Sequence, residues 1–193
     1  MQKIKTAILI SGRGSNMRAL IEVAKNVDYP AEIALVISNK KEATGLEFAK
    51  ENSIKTAVID HKNFSSREEF DREMAKLIEE NNCQVICLAG FMRILSGWFV
   101  EKFVGRIINI HPSLLPAFKG DKAVFDAINY GVKISGCTTH FVVQEMDSGP
   151  IIKQAAVEVM PDDTVETLSA KILKQEHIIY PQTLKIVCEK LRG

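Results

Sequence analysis

The chain has 193 residues, of which 46% are hydrophobic and 25% charged, the make-up of one globular domain. This excludes a disordered chain, a collagen-like repeat and a small disulfide scaffold. Twenty-five Lys and Arg nearly cancel 24 Asp and Glu, and the formal charge of +1 supplies no global field for DNA or an anionic membrane.

In chain order, Lys5–Ile10 is a short apolar run read as the first strand. It lacks signal-peptide anatomy and is too short to cross a membrane, which points to the cytoplasm. Ser15–Lys25 carries Met17, Leu20, Ile21 and Ala24 at helical spacing. Glu32–Ile37 is the second strand, Gly45–Glu51 a short helix and Thr56–Ile59 the third strand. Ser65 and Glu68 spell a capping box, followed by the apolar stripe Phe70, Met74, Leu77 and Ile78. Val85–Ala89 and Arg106–Ile110 are strands four and five. Cys83 and Cys87 lie in the run NCQVICLAG that holds the fourth; positions four apart on a strand are ~13 Å apart, beyond disulfide reach. With Cys137 and Cys188 they fit no zinc spacing and read as buried thiols of a reducing compartment.

Apolar strands alternating with helices predict an α/β fold, a Rossmann-like, mostly parallel sheet with helices on both faces. After residue 110 the pattern changes. Ser135–Gln144 and Ile151–Val159, joined by the turn sequence EMDSGP, predict an antiparallel addition to the sheet. Asp163 and Glu166 form a second capping box. A long helix then runs to the end of the chain, with Pro181 expected to kink or interrupt it. One domain, 1–193, is expected: a phosphate-binding half to about 108 and a catalytic half from about 109.

Five segments carry candidate chemistry. Ser11–Gly12–Arg13–Gly14–Ser15–Asn16 follows the first strand and opens a helix, where glycines and free N–H groups suit a phosphate. A Walker loop is excluded by the missing Gly-Lys-Ser/Thr ending. A dinucleotide fingerprint is disfavoured by Met17 and by the Ser38–Asn39–Lys40 ending of strand two. Asn109 and His111 alternate onto one side at the end of strand five, where such sheets bind ligands. An amide can donate to an oxyanion while an imidazole moves a proton. Asp147 is an ordinary turn residue unless folding brings it to His111, where it would favour the imidazolium. Glu176 interrupts an apolar stripe; a structural ion pair and a cationic ligand group account for it equally well. Ala89–Leu95 has the apolar side chains and free backbone groups that suit a flat heterocycle. His61, His140 and His177 show no clear partner, and a metal site of His111, His140 and Asp147 matches no usual motif.

Together LISGRGSN (9–16), SREEFDRE (66–73), LAGFMRIL (88–95), NIHPSLLP (109–116), MDSGPII (146–152) and QEHIIYP (175–181) resemble the folate-dependent formyltransferases, and among them the phosphoribosylglycinamide formyltransferases of purine synthesis. The resemblance covers nearly the whole chain. It implies formyl transfer from 10-formyltetrahydrofolate, as co-substrate and without a metal, to the amine of phosphoribosylglycinamide. Asn109, His111 and Asp147 would be catalytic. Gly14, Ser15, Asn16 and Glu176 would hold the ribonucleotide. Arg67, Met92, Arg93, Ile94 and Leu95, with Asn109, Val143, Gln144, Glu145, Met146 and Asp147, would hold the folate. Two segments depart from the family pattern: Arg13 adds a cation between the glycines, and Ala117–Lys122 lacks the proline and histidine of some members. Partners would be small molecules only, with no nucleic acid or membrane, and the chain a monomer or weak homodimer. A formyltetrahydrofolate hydrolase is the near alternative, although such enzymes usually carry an N-terminal regulatory domain. A non-catalytic nucleotide binder would leave Asn109, His111 and Asp147 idle.

Overall fold

The computed structural model describes residues 2–193. Seven strands form one sheet: β1 (Ile4–Ile10), β2 (Ala31–Ser38), β3 (Lys55–Val58), β4 (Val85–Leu88), β5 (Ile107–His111), β6 (Ile134–Phe141) and β7 (Ile151–Glu158). Their order is β3-β2-β1-β4-β5-β6-β7. β1 to β5 pair in parallel, and β6 and β7 add antiparallel to β5, as the sequence predicts. β1 therefore has β2 on one side and β4 on the other. Between β1 and β4 the strand order reverses and their following loops part, leaving a crevice at the carboxyl edge.

Alternation along β1 explains the two-sided core. Ile8 and Ile10 face one cluster with Leu20 and Ile21 of α1 (Ser15–Ala24), Leu46 of α2 (Gly45–Glu51) and Ile172, Tyr180 and Leu184 of α6 (Val165–Arg192). Ala7 and Leu9 face the other, with Phe70, Met74 and Ile78 of α3 (Arg67–Glu80), Phe99 of α4 (Gly97–Lys102) and Phe103 just after it. α5 (Ala123–Tyr130) packs beside α6 through Ala123 and Ala127. All four cysteines are buried free thiols. Among the described residues no helix is long and apolar enough to cross a membrane.

Three local expectations are corrected. The α3 cap is one residue later: Ser66 Oγ accepts from Glu69 N, and the Glu69 carboxylate accepts from Ser65 N and Oγ. The α6 cap is Thr164, paired reciprocally with Thr167, while Asp163 accepts from Met160 N, Thr167 Oγ1 and Lys171. Pro181 does not interrupt α6, which runs unbroken for 28 residues. An internal proline costs about 3 kcal/mol. Here burial on both sides of it outweighs that cost: Tyr180 before, Leu184, Val187 and Cys188 after, with Thr183 bonded to Thr139 and Tyr29 donating to the Pro181 carbonyl.

Candidate active site

The turn after β1 forms as its glycines predict. Gly14 is the N-cap of α1 in the left-handed region (φ 67°), where a side chain is strained, and no side chain caps the helix. The first intrahelical bond is Arg18 N to the Gly14 carbonyl, so the N–H groups of Ser15, Asn16 and Met17 point out of the helix start. Gly45, which sequence reasoning missed, supports the turn from below. Its N–H donates to the Gly12 carbonyl, and a Cβ there would stand 2.8 Å from Ile10 Cδ1.

Asn16 contributes its main chain to that turn, because its side chain is engaged elsewhere. Its Nδ2 donates to Glu176 Oε2 at 2.7 Å, which makes the partner of Glu176 a neutral amide rather than the ion pair considered above. Glu176 is buried, and burial pushes its carboxyl above the ordinary range against the opposing pull of the Asn16 bond. Asn16 Oδ1 is buried without a partner. Two polar groups thus lie under the turn with bonding capacity unused.

At the carboxyl end of β5 four side chains converge. Asn109 and His111 share a face, as alternation requires. Asp147 reaches them from the β6–β7 loop, held at φ 50°. Its Oδ2 lies 3.4 Å from His111 Nδ1 and accepts from Gly120 N at 2.9 Å. Burial alone would raise this carboxyl. The adjacent His140 ring, the Gly120 amide and the His111 ring outweigh that effect and hold it below its usual value. His140 is the fourth member, a buried histidine whose partners its sequence context did not reveal. The β5–β6 register places it opposite Asn109, with Nε2 3.3 Å from Asn109 Nδ2 and 3.7 Å from Asp147 Oδ1. Its Nδ1 donates to the Phe141 carbonyl, so Nε2 of the neutral ring accepts from Asn109. Among the described residues no cluster is arranged to hold a metal ion.

His111 is 5% exposed and lies behind the cavity wall. Its Nε2 donates to the Phe118 carbonyl at 2.8 Å, while Nδ1 faces the Asp147 carboxylate. Both neighbours are acceptors, so the setting is complementary to the doubly protonated ring.

Beside this cluster lies a cavity of about 520 Å³. Met92, Arg93, Ile94 and Leu95 line one wall, Val143 to Asp147 another, and Asn109 and His140 the floor. Met92, Ile94 and Met146 are more than half exposed, apolar surface turned toward an open site. The size and lining suit a flat heterocycle. Arg67 does not line the cavity; it is exposed at the start of α3 and its charge acts, with that of Arg93, on buried Asp71.

The Formyl transferase family model matches residues 4–184. The chain belongs to that family. It is 52% identical over 185 residues to the trifunctional purine biosynthetic protein adenosine-3 of Gallus gallus, covering 96% of this chain and 18% of that protein. The chain thus spans less than a fifth of that relative's length. It is 43% identical to the phosphoribosylglycinamide formyltransferase of Haemophilus influenzae, covering 94% of this chain and 85% of that one. A solved glycinamide ribonucleotide transformylase 1 from Symbiobacterium toebii superposes with TM-score 0.95 at 42% identity, covering 97% of this chain and 89% of the other. Membership in the formyl transferase family accounts for the sheet order and for the cavity beside β5.

Proposed function

We propose that the chain transfers the formyl group of 10-formyltetrahydrofolate to the amine of phosphoribosylglycinamide. The observation that carries this is the convergence of Asn109, His111, His140 and Asp147 beside a folate-sized cavity, on the sheet edge that also carries the glycine turn after β1. The turn at Gly14–Asn16 takes the phosphate, and Glu176 receives the glycinamide end. The folate head lies between the Met92–Leu95 and Val143–Asp147 walls.

The amine adds to the formyl carbon, and the formyl oxygen gains negative charge. Asn109 keeps one Nδ2 hydrogen on His140 and presents the other to that oxygen. His111 adds a charged donor once its Nε2 exchanges the Phe118 carbonyl for the oxyanion. His111 then delivers a proton to the folate nitrogen as its bond to the formyl carbon breaks, the proton lost by the attacking amine nitrogen restores the ring, and Asp147 holds it in place. His140 orients Asn109. The nucleophile belongs to the substrate, so no protein nucleophile is needed.

The test is a spectrophotometric assay of folate turnover with and without the ribonucleotide. Turnover that requires it supports the reading; turnover without it indicates a hydrolase, and binding without turnover a non-catalytic nucleotide binder. Loss of one oxyanion donor costs ~100-fold or more. Asn109→Ala and His111→Ala are expected to lose kcat on that scale, and near-normal turnover in His111→Ala would overturn the mechanism.

A further inference from the structure

The two binding regions just described lie on loops from different strands, one after β1 and one after β4. At a switch point such loops leave toward opposite faces of the sheet, and past the main-chain bond from Ser11 to Gly90 the strand ladder no longer holds them together. One buried side chain spans the gap. Ser11 closes β1, two residues from Arg13 of the phosphate turn, and is 6% exposed. Its N–H donates to the Gly90 carbonyl at 3.1 Å. Its Oγ accepts from Met92 N at 2.8 Å and donates to Asn39 Oδ1 at 2.6 Å. Asn39 Nδ2 in turn reaches His61 Nδ1 at 3.3 Å, which gives His61 the partner its sequence context did not reveal. The donor and the acceptor of the hydroxyl are therefore both committed, one to the end of β2 and one to the loop after β4.

The receiving loop is short and fixed at both ends. Ser11 holds it at Met92, and four residues later the carboxylate of Asp71, from α3, accepts from Ser96 N. Ser96 Oγ then caps α4 at Phe99 N. Arg93, Ile94 and Leu95, which line the cavity, have no other such anchor between these two points. The Asp71 end is set by the far side of the sheet. The Ser11 end is set by the strand that carries the phosphate turn.

We propose that Ser11 is a positioning residue for the formyl donor: its hydroxyl sets the folate-lining loop at the correct distance from the phosphate turn, although it lies in the turn's own segment. The inference rests on the proposed function and adds a residue to it. A residue of purely local importance would support the phosphate turn, and its loss would weaken the ribonucleotide. Loss of the Ser11 hydroxyl instead leaves the Met92 amide without its acceptor and frees the cavity wall.

The test measures binding of 5,8-dideazafolate and of phosphoribosylglycinamide to the full chain by calorimetry, for wild type, Ser11→Ala and Ser11→Thr, with thermal midpoints alongside. An amide left without its acceptor corresponds to a roughly ten-fold effect. Ser11→Ala is expected to weaken the dideazafolate about ten-fold and the ribonucleotide less than three-fold, and Ser11→Thr, which restores a hydroxyl, to recover most of the folate affinity. An unchanged dideazafolate affinity in Ser11→Ala would overturn the inference. So would equal weakening of both ligands, or greater weakening of the ribonucleotide. Should Ser11→Thr bind the dideazafolate no better than Ser11→Ala while melting like wild type, the hydroxyl is not the cause and the inference fails. Wild-type protein that binds neither ligand would refute the proposed function itself, a result separate from any difference among the variants.

Discussion

Asp147 does two things that its turn sequence does not suggest. It anchors Gly120 of the loop over the site, and it faces both imidazoles. Asp147→Asn keeps the shape and removes the charge. A general acid–base group contributes about 10²–10⁴-fold, and a residue that only holds that group contributes less, so kcat is expected to fall by less than in His111→Ala. Steady-state kcat of the two variants beside wild type checks this; a wild-type kcat in Asp147→Asn would remove its charge from the mechanism. The pairing of Asn109 and His111 was legible in the sequence because two residues of one strand share a face whatever else the chain does. The role of His140 was not, since it depends on which residue of β6 stands opposite Asn109. That register is set by hydrogen bonds between segments about thirty residues apart.

Element boundaries were legible where the local signal was long. β1 and β4 are buried almost throughout, and an unbroken apolar run marks such strands. The seven-residue α2 is legible in the sequence, whereas the six-residue α4 and the eight-residue α5 are not, so length alone does not decide which short helix shows its period. The β6–β7 connection was read as a turn, and its tightness has a structural cause. A Cβ on Gly149 would overlap the Phe141 carbonyl oxygen, beside the Phe141 N to Pro150 O bond that closes the loop. Gly149→Ala therefore forces Val143–Asp147 away from the strand ends. Overpacking of this kind costs about 1–3 kcal/mol, and each kcal/mol lowers the melting midpoint about 2–4 °C in a chain of this size. The folate analogue is expected to bind more weakly while the ribonucleotide, held on the other side of the crevice, binds as before. Equal loss of both ligands would mean that the loop and the phosphate turn do not move independently.

At the scale of the whole molecule, site and stability pull in opposite directions at Glu176. The sequence showed an acid in an apolar stripe, and packing of α6 against α1 buries it beside one amide and no cation. A carboxyl raised by burial binds its proton more tightly in the folded than in the unfolded state. Its contribution to stability is complete below the unfolded value and is lost as pH rises through the folded one. Asp147 has the opposite sign: its contribution is present above the unfolded value and is lost as pH falls through its depressed folded value. At neutral pH Glu176 therefore carries a cost, whereas Asp147 stabilises. Glu176→Gln removes that cost, keeps an oxygen for Asn16 Nδ2 and brings a donor to the neighbourhood of the bare Asn16 Oδ1. The variant should be more stable than wild type at pH 7–8, with the advantage shrinking as pH falls and wild-type Glu176 takes up its proton. It should also bind the ribonucleotide at least ten-fold more weakly, because the charge that meets the glycinamide end is gone. Urea midpoints across that pH range, together with ribonucleotide titrations, check both halves. A variant that gained stability and kept its affinity would show that the buried charge does not serve the substrate.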